Sequence, residues 1–172
     1  LKLEEAALKL MRLNGEKVGK RKGGVICFEG NWHGRTLGAQ MMGWNPGQKK
    51  WIGYHDPNIH HIAFPYPWQK DAVERPREYF RKNLQKLLSE KQLDAEHDIC
   101  GVMMETFQGW GAVFYPNEFV QEVRKFTIMF PVSSRFCFHL AERGWLTTGL
   151  AAPRGMRRRM APLTSPVILI LK

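Results

Sequence analysis

Residues 23–39 read GGVICFEGNWHGRTLGA. A glycine pair opens the apolar run Val25, Ile26, Cys27 and Phe28, which reads as a short strand buried on both faces. The run ends at Glu29 and Gly30. Directly after it, a tryptophan and a histidine stand side by side between two glycines, Gly30 and Gly34. A loop that needs only solubility rarely carries so large a ring. Trp32 and His33 are therefore either anchors packed on the core or a flat platform for a planar ligand, with glycine letting the backbone come close. The residues alone leave those two readings even.

Outward from this stretch the pattern alternates. Upstream, Leu3, Ala6, Ala7, Leu10, Met11 and Leu13 recur at helical spacing, and Asn14-Gly15 is the expected stop. Downstream, a helix is expected to begin within residues 35–42 and to be closed by GWNPGQ. Residues 51–70 are rich in proline, histidine and aromatics without a sustained period, and read as a structured loop. A second helix is expected over 71–91, with Phe80, Leu84, Leu87 and Leu88 on one face. Residues 99–104 form a second apolar, strand-like run ending at Glu105, followed by the glycine-punctuated loop QGWGAVFYP. Asn117 is the expected N-cap of a third helix carrying Phe119, Val120, Val123 and Phe126.

Helix and strand in alternation imply an α/β fold with a mostly parallel sheet and flanking helices. In such sheets ligands sit at the carboxyl ends of the strands. Both candidate site loops, 30–35 and 105–111, follow such ends. In the second loop Glu105 and Gln108 bring a carboxylate and an amide just past a hydrophobic strand, although a lone glutamate there is more often solvated or bonded to its loop.

Composition narrows the function classes. The chain has 172 residues, 44% of them hydrophobic, enough for one domain with a core. The net charge is +10, but it is unevenly spread. Residues 128–172 carry Arg135, Arg143, Arg154, Arg157, Arg158, Arg159 and Lys172 against the single acid Glu142, so the first 127 residues are only mildly basic. Three cysteines (Cys27, Cys100 and Cys137) with no CxxC spacing are expected to be reduced thiols in a cytoplasmic setting. Charges at Lys2, Glu4, Glu5, Lys9 and Arg12 break any signal-peptide reading, and the apolar run 167–171 is too short to span a bilayer. His55, Asp56, His60 and His61 match no metal-ligand spacing, so no metal is expected. The basic runs 17–22 and 157–159 read as solvated surface.

Taken together, EEAALKLMR, GGVICFEGNWHGRTLGA and METFQGWGAVFYPNEFVQEVRKF resemble consecutive segments of the class III aminotransferases, which use pyridoxal 5'-phosphate on the fold-type I scaffold. That family carries an aromatic-His-Gly-Arg-Thr stretch after one strand and a Glu-Pro-x-Gln-Gly stretch after a later one, about 70 residues on. The resemblance spans residues 4 to about 126. It implies that the chain is a fragment of the large domain, residues 1–127, of a transferase that exchanges an amino group between an amino acid or amine and a 2-oxo acid. Trp32 would take the place of the ring that stacks on the cofactor, with His33 and Gly34 completing that wall. Glu105 would stand in the same wall, and Gln108 and Trp110 would line the substrate side. The intact family member would be a homodimer.

The departures are as informative. Trp110 stands where the family commonly has a glutamate that pairs with a substrate-recognising arginine, which puts the usual amino-donor preference in doubt. Thr106 stands where proline is usual. The segment carrying the Schiff-base lysine and the Asp-Glu-x-Gln stretch are absent from these 172 residues, so no catalytic residue is assigned and the chain is expected to be inactive by itself. Residues 128–172 are expected to be an aberrant or disordered basic tail, with the pattern of a shifted reading frame beginning near Thr127. Two rival readings are a basic nucleic-acid-binding module and a pseudo-enzyme subunit that pairs with an intact partner. Without a recognisable nucleic-acid fold the first is weakly founded.

Overall fold

The computed structural model describes residues 2–130 and 167–171. Four strands, β1 (Gly24–Phe28), β2 (Ile59–Ile62), β3 (Ile99–Glu105) and β4 (Val167–Leu171), form one sheet in the order β2-β1-β3-β4. Every pairing is parallel. The expected α/β architecture is present. β1 is buried along its whole length, and β3 is buried from Ile99 to Met104, which is why both read as near-continuous apolar runs.

Side chains alternate between the two faces of the sheet. Ile26 and Phe28 of β1 join Val102 and Met104 of β3 in one core cluster, covered by α4 (Pro76–Glu90) and α6 (Asn117–Met129). Phe80, Leu84 and Leu87 come from α4, and Phe119, Val123 and Phe126 from α6. Val25 and Cys27 of β1 join Cys100 and Met103 of β3 on the opposite face, under α1 (Lys2–Lys17) and α2 (Leu37–Met42). The register slips where Gly24 pairs Ile99 but Val25 pairs Gly101, so β3 carries one extra residue. That slip turns Cys100 and Gly101 both toward α1. Met11 lies directly over Gly101, and a Cβ at Gly15 would come 2.6 Å from the Cys100 Cβ.

This packing corrects the expected end of the first helix. α1 continues through Asn14 and Gly15 to Lys17, and the left-handed glycine after it is Gly19, with φ 79°. Gly15 serves close approach to β3 rather than termination. The expected helix over 71–91 is divided: α3 (Lys70–Glu74) stops at Arg75, and Pro76 occupies the first turn of α4, where its missing N–H costs nothing. β2 lies inside the stretch expected to be loop. Its four residues alternate half-buried and buried, too short a pattern to stand out among neighbouring prolines. A short helix, α5 (Ala95–Asp98), leads into β3, with Asp94 accepting from the Glu96 and His97 N–H groups.

The expected boundary after residue 127 falls inside α6, which runs to Met129. Within the expected tail, Val167–Leu171 pairs with Gly101–Glu105 of β3 as β4. The remaining arginine-rich part of that tail lies outside the described residues.

A candidate cofactor wall at the carboxyl ends of the strands

Three loops meet beyond the carboxyl ends of β2, β1 and β3. The β1 loop is the stretch quoted first. Gly30 and Gly34 both have positive φ, 72° and 125°, a region that glycine enters freely. Between them the chain turns Asn31 and His33 inward and Trp32 outward. Asn31 is 2% exposed and His33 3%, whereas Trp32 is 43% exposed. Asn31 Nδ2 donates to His33 Nε2 at 2.6 Å, a bond that requires the ring nitrogen to be unprotonated. Burial pushes the His33 pKa down to about 4, with the nearby Glu4 carboxylate acting in the opposite direction. The imidazole is therefore neutral at ordinary pH. The Asn31 carbonyl accepts from the Trp44 N–H at 3.1 Å, and Glu5 of α1 accepts from the Ala39 N–H at 3.0 Å in the first turn of α2. The loop is thus held at both ends.

The β3 loop is a short turn closed by an antiparallel bridge between Gln108 and Val113. The Gln108 N–H donates to the Val113 carbonyl at 2.8 Å. Trp110 and Phe114 at this loop are 67% and 70% exposed. Glu105 ends β3 with its side chain half-buried. Its carboxylate accepts from the backbone N–H groups of Trp32 and Gly109, so it joins the two loops directly. Its Oε2 is buried without a hydrogen-bond partner among the described residues. Burial outweighs those two N–H donors and raises the Glu105 pKa to about 7.

The structure brings Trp32, Glu105 and Gly34 of the expected residues to one end of the sheet. His33 is buried and bonded to Asn31 rather than presented at the surface beside Trp32. Gln108 is 3% exposed, and its amide donates to the Glu29 carbonyl at 3.2 Å and to the Tyr66 hydroxyl at 2.8 Å. Trp110 is at the surface of the turn. Sequence reasoning missed Asn31 and Tyr66. The proline-flanked aromatic run FPYPWQ that carries Tyr66 was the available signal, because rigid turns rich in rings rarely occur without packing reasons.

Of the residues considered for metal, His61 and Asp56 make scaffold contacts, while His60 Nε2 is buried without a hydrogen-bond partner among the described residues. His61 Nε2 lies 2.8 Å from the Met42 carbonyl, Asp56 pairs with Arg12 at 2.7 Å, and burial lowers the His60 pKa. Among the described residues no cluster of three or more such side chains could hold a metal ion, and no helix is long and apolar enough to cross a membrane.

An exposed indole beside a buried, unpartnered carboxyl oxygen suits a planar heteroaromatic ring that can stack on one and hydrogen-bond to the other. Comparison with known proteins gives the family and the fold. The family model described as Aminotransferase class-III matches residues 3–129. The chain is 28% identical over 110 residues to the mitochondrial acetylornithine aminotransferase of Candida glabrata, covering 64% of this chain and 22% of that one. It is 30% identical over 123 residues to the succinylornithine transaminase of Salmonella typhi, covering 70% and 25%. The chain thus spans about a quarter of the length of these curated relatives. Its fold is similar to the omega transaminase from Pseudomonas jessenii in complex with PMP, at TM-score 0.60 and 19% identity over 73% of this chain and 28% of that one. It is also similar to a PMP-bound aminotransferase from Vibrio fluvialis, at TM-score 0.58 and 20% identity over 71% and 27%.

Proposed function

Because this chain belongs to the class III aminotransferases, we propose that it is part of an enzyme that exchanges an amino group between an amino acid or amine and a 2-oxo acid. Pyridoxal 5'-phosphate, when bound, would supply the electron sink for that exchange. The residues present fit one wall of its site. Trp32 would lie against the ring, with His33 and Gly34 shaping the turn that presents it. Glu105 would place a carboxyl oxygen beside the ring edge, and a pKa near 7 lets it hold or release a proton there. Trp110, exposed on the β3 turn, would stand on the substrate side, with Gln108 fixing that turn from beneath.

The observation that carries this reading is the direct tie between Trp32 and Glu105, made by the Trp32 N–H across two strand ends. The residues of the wall include no lysine, so no catalytic residue is assigned to it, and the role read for the wall is to hold the cofactor ring. Residues 1–127 would be the contribution to the large domain. The intact protein would be a homodimer, a reading supported by the exposed rings Trp51 and Tyr54, and cytoplasmic, supported by the reduced, buried Cys27 and Cys100.

The test is equilibrium titration of the purified chain with pyridoxal 5'-phosphate, followed by tryptophan fluorescence. Trp32→Ala is expected to weaken binding about tenfold, the worth of one aromatic stack. Equal affinity in both proteins would remove Trp32 from the wall. Borohydride treatment of the mixture is expected to fix no label to any single lysine.

A further inference from the structure

The three strand-end loops are joined at one point. Tyr66 follows β2, Gly30 follows β1 and Gln108 follows β3. The Gln108 amide nitrogen donates both to the Tyr66 hydroxyl, at 2.8 Å, and to the Glu29 carbonyl, at 3.2 Å. This bridge lies directly on the bare Cα of Gly30. A Cβ there would come 2.6 Å from the Tyr66 hydroxyl and would also strike the Gln108 amide nitrogen. Tyr66 is set by its ring, which packs on Phe64 at 4.8 Å and stacks on Trp68 at 4.5 Å. Gln108 is set by the backbone bridge to Val113.

The bridge is two residues from Trp32 along one loop and three residues from Glu105 along the other. Gln108 is buried and its amide nitrogen donates twice within the protein, and the half-buried Tyr66 hydroxyl is one of the two acceptors. We infer that Gln108 and Tyr66 are positioning residues, a carboxamide–phenol latch over Gly30 that sets the placement of Trp32 against Glu105. The inference rests on the reading of Trp32 and Glu105 as a cofactor wall, but its geometry stands without the cofactor. With the latch closed, Glu105 stays half-buried, with the Trp32 and Gly109 N–H groups on its carboxylate and the Tyr115 phenol as a titratable neighbour. With the latch open, the β3 turn is released and water reaches the carboxylate.

The latch is tested in the full chain labelled with fluorotryptophan, the Trp32 resonance being identified by its loss in Trp32→Phe. In the unsubstituted protein that resonance is expected to titrate with Glu105, at a midpoint of about 7. Tyr66→Phe removes one oxygen and keeps both ring contacts. Gln108→Met keeps side-chain length and removes both donors. Each is expected to lower the midpoint by about one pH unit, the equivalent of one hydrogen bond. A residue with only a structural role would lower Tm and leave the midpoint in place, and that result overturns the latch, as does a Trp32 resonance that does not titrate near neutrality. Should Gln108→Met fail to fold, Tyr66→Phe decides alone. Titration with pyridoxal 5'-phosphate separates the two readings: absent binding removes the cofactor wall, while the midpoints still judge the latch.

Discussion

The loops after β1 and β3 face the same end of the sheet and are built on opposite principles. Between the two positive-φ glycines of the β1 loop, Asn31 and His33 are buried against each other and Trp32 stands out, with Arg35 exposed just beyond them. The β3 loop turns its rings outward, exposing Phe107, Trp110 and Phe114, and buries the single polar group Gln108. One loop is a rigid wall made from within the core, and the other is a turn pinned at its base. A site that must hold a flat ligand needs the first, and one that must admit varied side chains can use the second.

The glycines give the widest contrast. Gly30→Ala is expected to cost about 2–4 kcal/mol in denaturant unfolding, since it combines a positive φ with a clash into the Tyr66–Gln108 bridge. Gly109→Ala is expected to cost under about 1 kcal/mol, because its Cβ would meet only Glu105 Oε1 at an ordinary 3.4 Å. Equal losses would break the distinction between wall and turn.

The second contrast is in pH. Burial lowers the pKa of His33 and of His61 to about 4, so between about pH 6.5 and 4 the unfolded chain binds protons that the native state refuses. Stability is lost as pH falls through that window, by about 1–3 kcal/mol from His33 alone. Glu105 acts with the opposite sign. Its raised pKa means the native state holds a proton that the unfolded chain has released between about pH 4.5 and 7, so its contribution is present at low pH and is lost as pH rises. Glu105→Gln is expected to steepen the net acid loss, measured by unfolding across about pH 4–8. An unchanged profile would mean the carboxyl is not buried against the Trp32 loop.

The smaller effects lie in the β3 turn. Ala112 has φ 49°, so Ala112→Gly is expected to gain about 0.5 kcal/mol. Trp110→Ser is expected to change stability by less than about 0.5 kcal/mol, since the ring is 67% exposed. A larger loss would show that the turn is packed like the β1 loop, and the contrast would fail.

What could be read in the chain itself was local. The runs 25–28 and 99–104 are apolar because both faces of a parallel strand are covered, and that needs no knowledge of a partner. The stripe of Leu3, Ala7, Leu10 and Met11 likewise states its own period. The placing of both candidate loops at strand ends followed from those runs. Boundaries were less legible where a residue had two uses: Gly15 reads as a helix stop and is in fact a contact surface for β3, and Pro76 divides what reads as a single helix.

The sequence by itself thus determined the parallel strands, the flanking helices and the Trp32–His33 pair as a candidate platform at a strand end. Only the tertiary structure decided that Trp32 faces outward and His33 inward, and that the Gln108 amide reaches both Tyr66 and the Glu29 carbonyl. Gln108 lies 42 residues from Tyr66 and 79 from Glu29, and nothing in local spacing encodes such a meeting. It arises because parallel pairing of β2, β1 and β3 brings their carboxyl ends to one edge, where the bare Cα of Gly30 leaves room for two polar side chains to join.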